Sequence, residues 1–584
     1  MLKHKNYLTV SFFFILIFFL FQVVVYDSTV PAASASNKEV SFALNERIDT
    51  TQPVASEAIA PSNIVLTGAG AQDKEIGKSF AVAYGYLKQP AIIIESLAQL
   101  SQAKLNEYYS VCITTRNIDA IGSIDMLIEY MAQGGNVIFT QLPEKTRANY
   151  SKLERIMGIY ETGDEYTHTD FEVWEGLLVG GPYATEDEFE FNTSPVKLYG
   201  SCKTYAVCTD EDIVRNEDKN PLMWRTYHEK GAIFVVNGPM MREKSGIGIL
   251  AAFLCDLHDD FLYPIVNAKA TMLNNFPYIT SKNDEALKEK YNREMLEFTR
   301  DIMWSDLVSI MRDSNLVYTA FVSQADFNNT RKYNQSLIEF LSRELTRNKG
   351  EIAYTLPKGE GNLTANLKRD SSFFKEVFPK YQLKGLSLPA GKTTDFANEI
   401  REYFPGVSTI SGGLDQVDLA YIDKNTLTVP YSSRGFYSTD EQRWSLANYV
   451  TAIGIVTHEM DMDLPIMDET PEHTWREASI EVSKYLNWQK WKYGWVPSYK
   501  MSEFSVKAKN FLYMNVDIKY SENEINAEIK NFTGEGFFIL RTERTIKRIY
   551  GCDISKARHD EDGLILIKAT EKNVRIITAD EVYD

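Results

Sequence analysis

Cysteine is scarce in this chain, and so is positive charge. Five cysteines in 584 residues cannot form a disulfide framework, and an odd number leaves one thiol over even if the rest pair. Cys202 and Cys208 are close enough in sequence to bridge if their side chains face each other. Cys112, Cys255 and Cys552 read as buried thiols. Lys and Arg total 62 against 80 Asp and Glu, a formal net charge of -18. That balance argues against the basic face that holds nucleic acid, and an anionic polymer is an equally poor partner. A neutral or cationic substrate suits the field better, although net charge says more about solubility than specificity.

Charge is missing altogether between Tyr7 and Tyr26, a stretch that includes Ser11-Phe12-Phe13-Phe14-Ile15-Leu16-Ile17-Phe18-Phe19-Leu20-Phe21. It is long enough to cross a bilayer. Lys3 and Lys5 precede it and Asp27 follows, which puts the short N-terminus in the cytoplasm and the remainder outside. Ala33-Ser34-Ala35 offers a small-residue cleavage pattern, so the competing reading is a signal peptide and a secreted product. Residues 1–27 are thus expected to be a membrane anchor or signal segment. Residues 28–62, rich in Ala, Ser, Thr and Pro, are expected to be a flexible stalk.

What remains is 44% hydrophobic and 12% aromatic over the chain as a whole, a globular composition that divides into roughly three or four domains. From residue 63 strands and helices alternate. Asn63 to Gly68, Ala91 to Glu95, Ser110 to Thr115, Asn136 to Thr140 and Gly231 to Gly238 are short apolar strands. Ile76 to Leu87 and Met126 to Ala132 have helical spacing, the second ending at Gly134-Gly135. The pattern implies a parallel sheet with helices on both faces over residues 63–255. It resembles the flavodoxin-like sheet of class I glutamine-amidotransferase relatives. Those enzymes need a Cys on a Gly-flanked elbow, whereas Cys112 lies inside the strand Val111-Cys112-Ile113-Thr114. Gly68-Ala69-Gly70-Ala71 lacks the third spaced glycine of a dinucleotide loop and reads as a tight turn.

Seven strands recur between residues 261 and 487: Tyr263 to Leu273, Leu316 to Val322, Glu351 to Leu356, Lys384 to Leu388, Gly406 to Ser411, Leu427 to Ser432 and Gly454 to His458. Helical segments between them include Tyr333 to Asn348, Phe373 to Tyr381, Asp395 to Phe404 and Gln442 to Ala452. This spacing predicts a distorted β/α barrel. The segments Thr271-Met272-Leu273-Asn274-Asn275-Phe276-Pro277, Lys384-Gly385-Leu386-Ser387-Leu388-Pro389-Ala390 and Val456-Thr457-His458-Glu459-Met460-Asp461-Met462-Asp463 resemble motifs of the polysaccharide deacetylase (NodB-type) family. Active members carry an Asp-Asp pair where this chain has Asn274 and Asn275. They carry two metal-binding histidines about where Thr355 and Gly359 fall. An Asn cannot accept a proton near neutral pH, and it is an uncharged, weaker metal ligand. The resemblance therefore implies a fold of deacetylase type with no metal site as that family builds it, and no cofactor.

The resemblance implies substrate contacts from Asn274, Asn275 and Pro389, with His458 and Asp461 at the barrel's C-terminal face. His458 reads equally as a satisfied semi-buried histidine and the acids as loop charges. A carboxylate-only alternative uses Asp415, Glu459, Asp461 and Asp463, which all follow strand ends. Beyond Trp488-Gln489-Lys490-Trp491-Lys492-Tyr493-Gly494-Trp495 the helical pattern fades. Glu524 to Lys530 and Gly536 to Arg541 alternate, so residues 505–584 are expected to be a small β-sandwich. Trp488, Trp491 and Trp495 are candidates for sugar stacking, with packing at the domain junction as the plainer role.

This order of parts resembles membrane-anchored bacterial surface proteins of exopolysaccharide clusters, related to Pel-type deacetylases. It implies an extracytoplasmic polysaccharide-handling protein without metal-dependent catalysis, with the glycan as partner. The alternatives are an active deacetylase or carboxylate-dependent glycoside hydrolase, and a structural component of a membrane-bound polysaccharide synthesis complex.

Overall fold

A computed structural model describes residues 60–579 apart from 175, 186–189, 210–218, 243, 278–283, 323–334, 357–361, 390–393, 395–396, 414–415, 464–473 and 557–563. The apolar stretch Tyr7 to Tyr26, the segment expected to be a stalk as far as residue 59, Gly359 and Asp415 lie outside the described residues. Among the described residues no helix is long and apolar enough to cross a membrane.

The first apolar segments form β1 (Asn63–Leu66), β2 (Ala91–Ile94), β3 (Ser110–Ile113) and β4 (Asn136–Phe139). β1, β3 and β4 are buried at every residue, as parallel strands covered on both faces must be. α1 (Ala71–Tyr86) buries Ile76, Phe80, Ala83 and Tyr84, the spacing of one helix face, and α2 (Ile124–Ala132) does the same with Ile124, Leu127 and Met131. β5 (Phe171–Val173), β6 (Tyr183–Ala184), β7 (Lys203–Cys208), β8 (Pro221–His228) and β9 (Gly231–Val236) complete a nine-stranded sheet. Its order is β2-β1-β3-β4-β9-β8-β7-β5-β6. Pairing is parallel as far as β9 and antiparallel beyond. All five cysteines are free thiols, so Cys202 and Cys208 do not bridge.

After α3 (Ile247–Cys255), the expected single strand Tyr263 to Leu273 is two: β10 (Asp260–Ile265) and β11 (Ala268–Asn274). Asn267 divides them with φ 54°, a left-handed value that Asn tolerates. Next come α4 (Trp304–Asp313), β12 (Tyr318–Val322), α5 (Gln335–Arg347), β13 (Glu351–Thr355), α6 (Leu363–Val377), β14 (Gly385–Ser387) and α7 (Ala397–Tyr403). β15 (Thr409–Gly412), β16 (Ala420–Tyr421), β17 (Leu427–Pro430), β18 (Ser433–Arg434), α8 (Asp440–Ile453) and β19 (Ile455–Asp461) follow. Together the strands form an open half-barrel sheet in the order β16-β17-β15-β14-β13-β12-β11-β19-β18. Every pairing is parallel except β16 with β17. α8 is punctuated as its sequence suggests: Thr439 accepts the Gln442 N–H at its start, and Gly454 ends it at φ 64°.

α9 (Trp475–Tyr493) opens with a capping box between Thr474 and Glu477. The helical pattern does not fade after it, as the sequence suggested, because α10 (Met501–Tyr513) follows and occupies the start of the expected sandwich. Its N-terminus closes the base of the half-barrel. Glu351 Oε1 accepts the Ser502 N–H at 2.7 Å, and Thr319 Oγ1 accepts that of Met501 at 2.8 Å. β20 (Asn515–Ser521), β21 (Glu524–Lys530), β22 (Gly536–Thr542), β23 (Thr545–Tyr550), β24 (Cys552–Lys556), β25 (Leu564–Ala569) and β26 (Asn573–Ala579) make two antiparallel four-stranded sheets. Their orders are β10-β22-β25-β24 and β20-β21-β26-β23. β10, expected in the barrel, is thus an edge strand of the C-terminal module.

Candidate functional site

Residues opposite each other on neighbouring parallel strands point to the same side, and alternate residues along a strand point to opposite sides. β11 and β19 pair Met272 with Glu459, Asn274 with Asp461, and Thr271 with His458. Glu459 and Asp461 therefore share a face with Asn274, and His458 is on the other. The side chains agree. Asn274 Nδ2 donates to Glu459 Oε1 at 2.7 Å, and Asn275 Nδ2 donates to Asp461 Oδ1 at 2.7 Å. Asn275 is the first residue past β11, and its φ of 52° is one that few residues other than Asn and Gly accept.

Tyr431, just past β17, crosses to this face. Its hydroxyl lies 3.4 Å from Asn274 Nδ2, 2.8 Å from Ser387 Oγ and 3.1 Å from Ser411 Oγ. Register places Thr355, Ser387 and Ser411 side by side at the ends of β13, β14 and β15. Burial, with the Glu459 carboxylate adding to it, pushes the Tyr431 phenol up to about 12, so it stays a protonated donor. Asn274 and Asn275 are 7% and 6% exposed, and neither amide oxygen has a hydrogen-bond partner among the described residues. Asp461 is half-buried and opens the cluster to solvent. Asp463 is buried just beyond, its N–H 3.4 Å from Asp461 Oδ1.

The structure brings Asn274, Asn275, Glu459, Asp461 and Asp463 together; Asp415 is outside the described residues, and His458, Trp488 and Trp491 are not part of this cluster. His458 is 1% exposed, with Nδ1 3.0 Å from Ser433 Oγ and its ring edge-on to Tyr485 of α9 at 5.2 Å. Burial lowers its pKa to about 3, so the imidazole is neutral. Trp488 stacks on Tyr485 at 5.7 Å with the Arg443 guanidinium over its ring, on the same side of the sheet as His458. Trp491 is 54% exposed on α9. Pro389 offers its carbonyl to Gln416 Nε2 at 2.8 Å. Tyr431 escaped the sequence reading, as did Ser387 and Ser411, whose matching strand-end positions were the available signal. Among the described residues no three His, Cys, Asp or Glu side chains gather as metal ligands would.

A second polar feature lies at the C-terminal ends of β3, β4 and β9, where doubly wound sheets offer crevices. Arg116, Gln141, Asn237 and Arg242 line a cleft of about 280 Å³. Arg116 is paired with Glu165, and Asn237 is spent on the Ser194 and Pro221 backbone. Cys112 is fully buried in β3, where burial holds its thiol well above the usual range, as befits an inert side chain.

A family model described as an uncharacterised protein conserved in bacteria (DUF2194) matches residues 190–566. No curated protein matches the chain. Among solved structures the chain is similar to Agd3, a carbohydrate deacetylase, at 10% identity with a TM-score of 0.51, over 89% of this chain and 99% of that one. A Parabacteroides distasonis protein, provisionally assigned as a glycoside hydrolase/deacetylase, matches at 10% identity with a TM-score of 0.28, over 48% of this chain and 82% of that one. The likeness to Agd3 is one of fold.

Proposed function

The chain belongs to the DUF2194 family of bacterial proteins, and on that premise we propose that it binds a carbohydrate polymer outside the cytoplasm without metal-dependent deacetylation. The fold shared with a carbohydrate deacetylase supports the substrate class. The observation that carries the rest is the wiring of the amide pair. Where NodB-type deacetylases need a carboxylate base and a carboxylate metal ligand, Asn274 and Asn275 donate to Glu459 and Asp461. An amide engaged in this way neither takes a proton from water nor offers a charged ligand. The strand-end face then orients hydroxyl-rich ligands through Tyr431, Ser387 and Ser411. The segment Tyr7 to Tyr26 tethers the chain to the membrane, the surface at which a nascent exported polymer emerges.

A second reading is favoured by Glu459, a buried carboxylate oriented by Asn274, which suits a general base in metal-independent hydrolysis. One experiment separates the readings: incubate the purified full-length chain with acetylated hexosamine oligomers, with and without divalent metal, and measure binding and acetate release. Saturable binding without acetate is expected. Metal-stimulated acetate release overturns the non-catalytic reading, and metal-independent release abolished by Glu459→Gln selects the second. Failure to bind any oligomer leaves a structural role in a synthesis complex. Carbonate extraction of membranes checks the tether, which predicts that the chain stays in the membrane fraction.

A further inference from the structure

We propose that the amide-carboxylate face is a receptor for a primary ammonium group, as carried by a hexosamine residue that has lost its acetyl; this rests on the carbohydrate reading and specifies what the site recognises. Donors and acceptors decide the matter. A carboxylate cannot donate, so the contacts to Glu459 and Asp461 fix which end of each amide is nitrogen. Both amides thereby spend a donor on a carboxylate. The second N–H of Asn274 is directed to the Tyr431 hydroxyl at 3.4 Å, and the atoms left unmatched are acceptors: Asn274 Oδ1 and Asn275 Oδ1, buried and without a hydrogen-bond partner among the described residues, beside two carboxylates.

Buried acceptors left unmatched are costly, and a ligand that brings several donors gains at each of them. An ammonium has three donors and no acceptor. An acetamido group brings one N–H and a carbonyl, so it offers a single donor where the ammonium offers three. Charge points the same way. Glu459, Asp461 and Asp463 put three carboxylates at these strand ends, where Arg434 is in register with Glu459 on β18, and the whole chain carries -18. Asp461, the half-buried member, gives the ligand its way in. The other ligand suited to an all-oxygen cluster is a hard divalent cation, and the test includes it.

The purified full-length chain is titrated with a glucosamine hexamer, with the matched N-acetylated hexamer, and separately with Ca²⁺ and Mg²⁺. The free-amine hexamer is expected to bind about tenfold tighter or more, the scale of one charge-assisted hydrogen bond. Asp461→Asn and Glu459→Gln should each remove most of that preference. Equal affinity for the two hexamers overturns ammonium recognition and leaves the carbohydrate reading standing, whereas binding of neither removes both. Stoichiometric Ca²⁺ or Mg²⁺ binding that displaces the amine hexamer reassigns the face to a metal. The comparison of hexamers on the unaltered chain needs no variant, so a variant that fails to fold does not blunt it.

Discussion

Tyr431 carries more of the site than its single hydroxyl suggests, because that hydroxyl meets an amide from β11 and hydroxyls from β14 and β15. Tyr431→Phe leaves those three groups short of a partner in a buried setting. The expected loss is about 1–3 kcal/mol, read as a lower urea midpoint with an unchanged slope. His458 tests burial in a different way. Its pKa falls from 6.5 to about 3 on folding, so the unfolded chain takes up a proton that the folded chain refuses. The stability tied to its neutral ring is fully present above pH 6.5 and is lost as pH drops towards 3, by about 1.4 kcal/mol per unit. Urea midpoints of the unaltered chain and His458→Asn, compared between pH 7 and 5, should converge as pH falls. A constant gap would mean the imidazole titrates normally.

Helix packing sets the limits at the next scale. Gly248 of α3 lies against α8 so closely that a Cβ would sit 2.5 Å from the Asn448 carbonyl oxygen and 2.6 Å from its Cα. Helix propensity alone says that Gly248→Ala should stabilise by up to about 1 kcal/mol. The contact is with backbone, which cannot swing aside, so a net loss of about 1–3 kcal/mol is expected instead, visible as a lower Tm. Strand positions were largely legible because four- to seven-residue apolar runs between turn residues have few other readings. Two boundaries were not. The run from Tyr263 to Leu273 shows no period that marks Asn267 as a break, and the pairing of β10 with β22 links residues near 262 to residues near 540, which no local pattern reports. β19 was expected to end at His458 because Glu459-Met460-Asp461 looks like an acidic loop. It continues to Asp461 because the Asn274 and Asn275 amides receive those carboxylates. That extension moves the polar chemistry to the opposite face from His458. α10 was missed, although Met501, Phe504, Ala508 and Phe511 recur at helical spacing and are buried.

At the scale of the whole molecule, the parts that the sequence divides are held by shared elements. One hydrophobic cluster includes Phe80 and Phe234 of the first sheet with its helices, Ile455 of the half-barrel, and Phe538 and Ile567 of the C-terminal module. Lys88, just past α1, donates to the carbonyls of Phe511 and Leu512 at 2.8 and 3.3 Å, satisfying the end of α10. α10 in turn supplies the N–H that Glu351 accepts at the barrel base, and burial already raises that carboxyl above its usual range. A chain ending at residue 500 would lose all of this at once. β10 would keep its six buried residues but lose the strand it pairs with, and Glu351 would be a buried acid with no donor from Ser502. Unpaired buried backbone and an uncompensated carboxyl each cost on the order of 1–3 kcal/mol, and several together exceed the roughly 5–15 kcal/mol that holds a domain folded. The shortened chain is therefore expected to bind a hydrophobic dye and melt without a cooperative transition, while the full-length chain shows one main calorimetric transition for everything after residue 60. A sharp, dye-free transition for the shortened chain would show that the half-barrel folds without its C-terminal module, and that β10 is an appendage rather than a link.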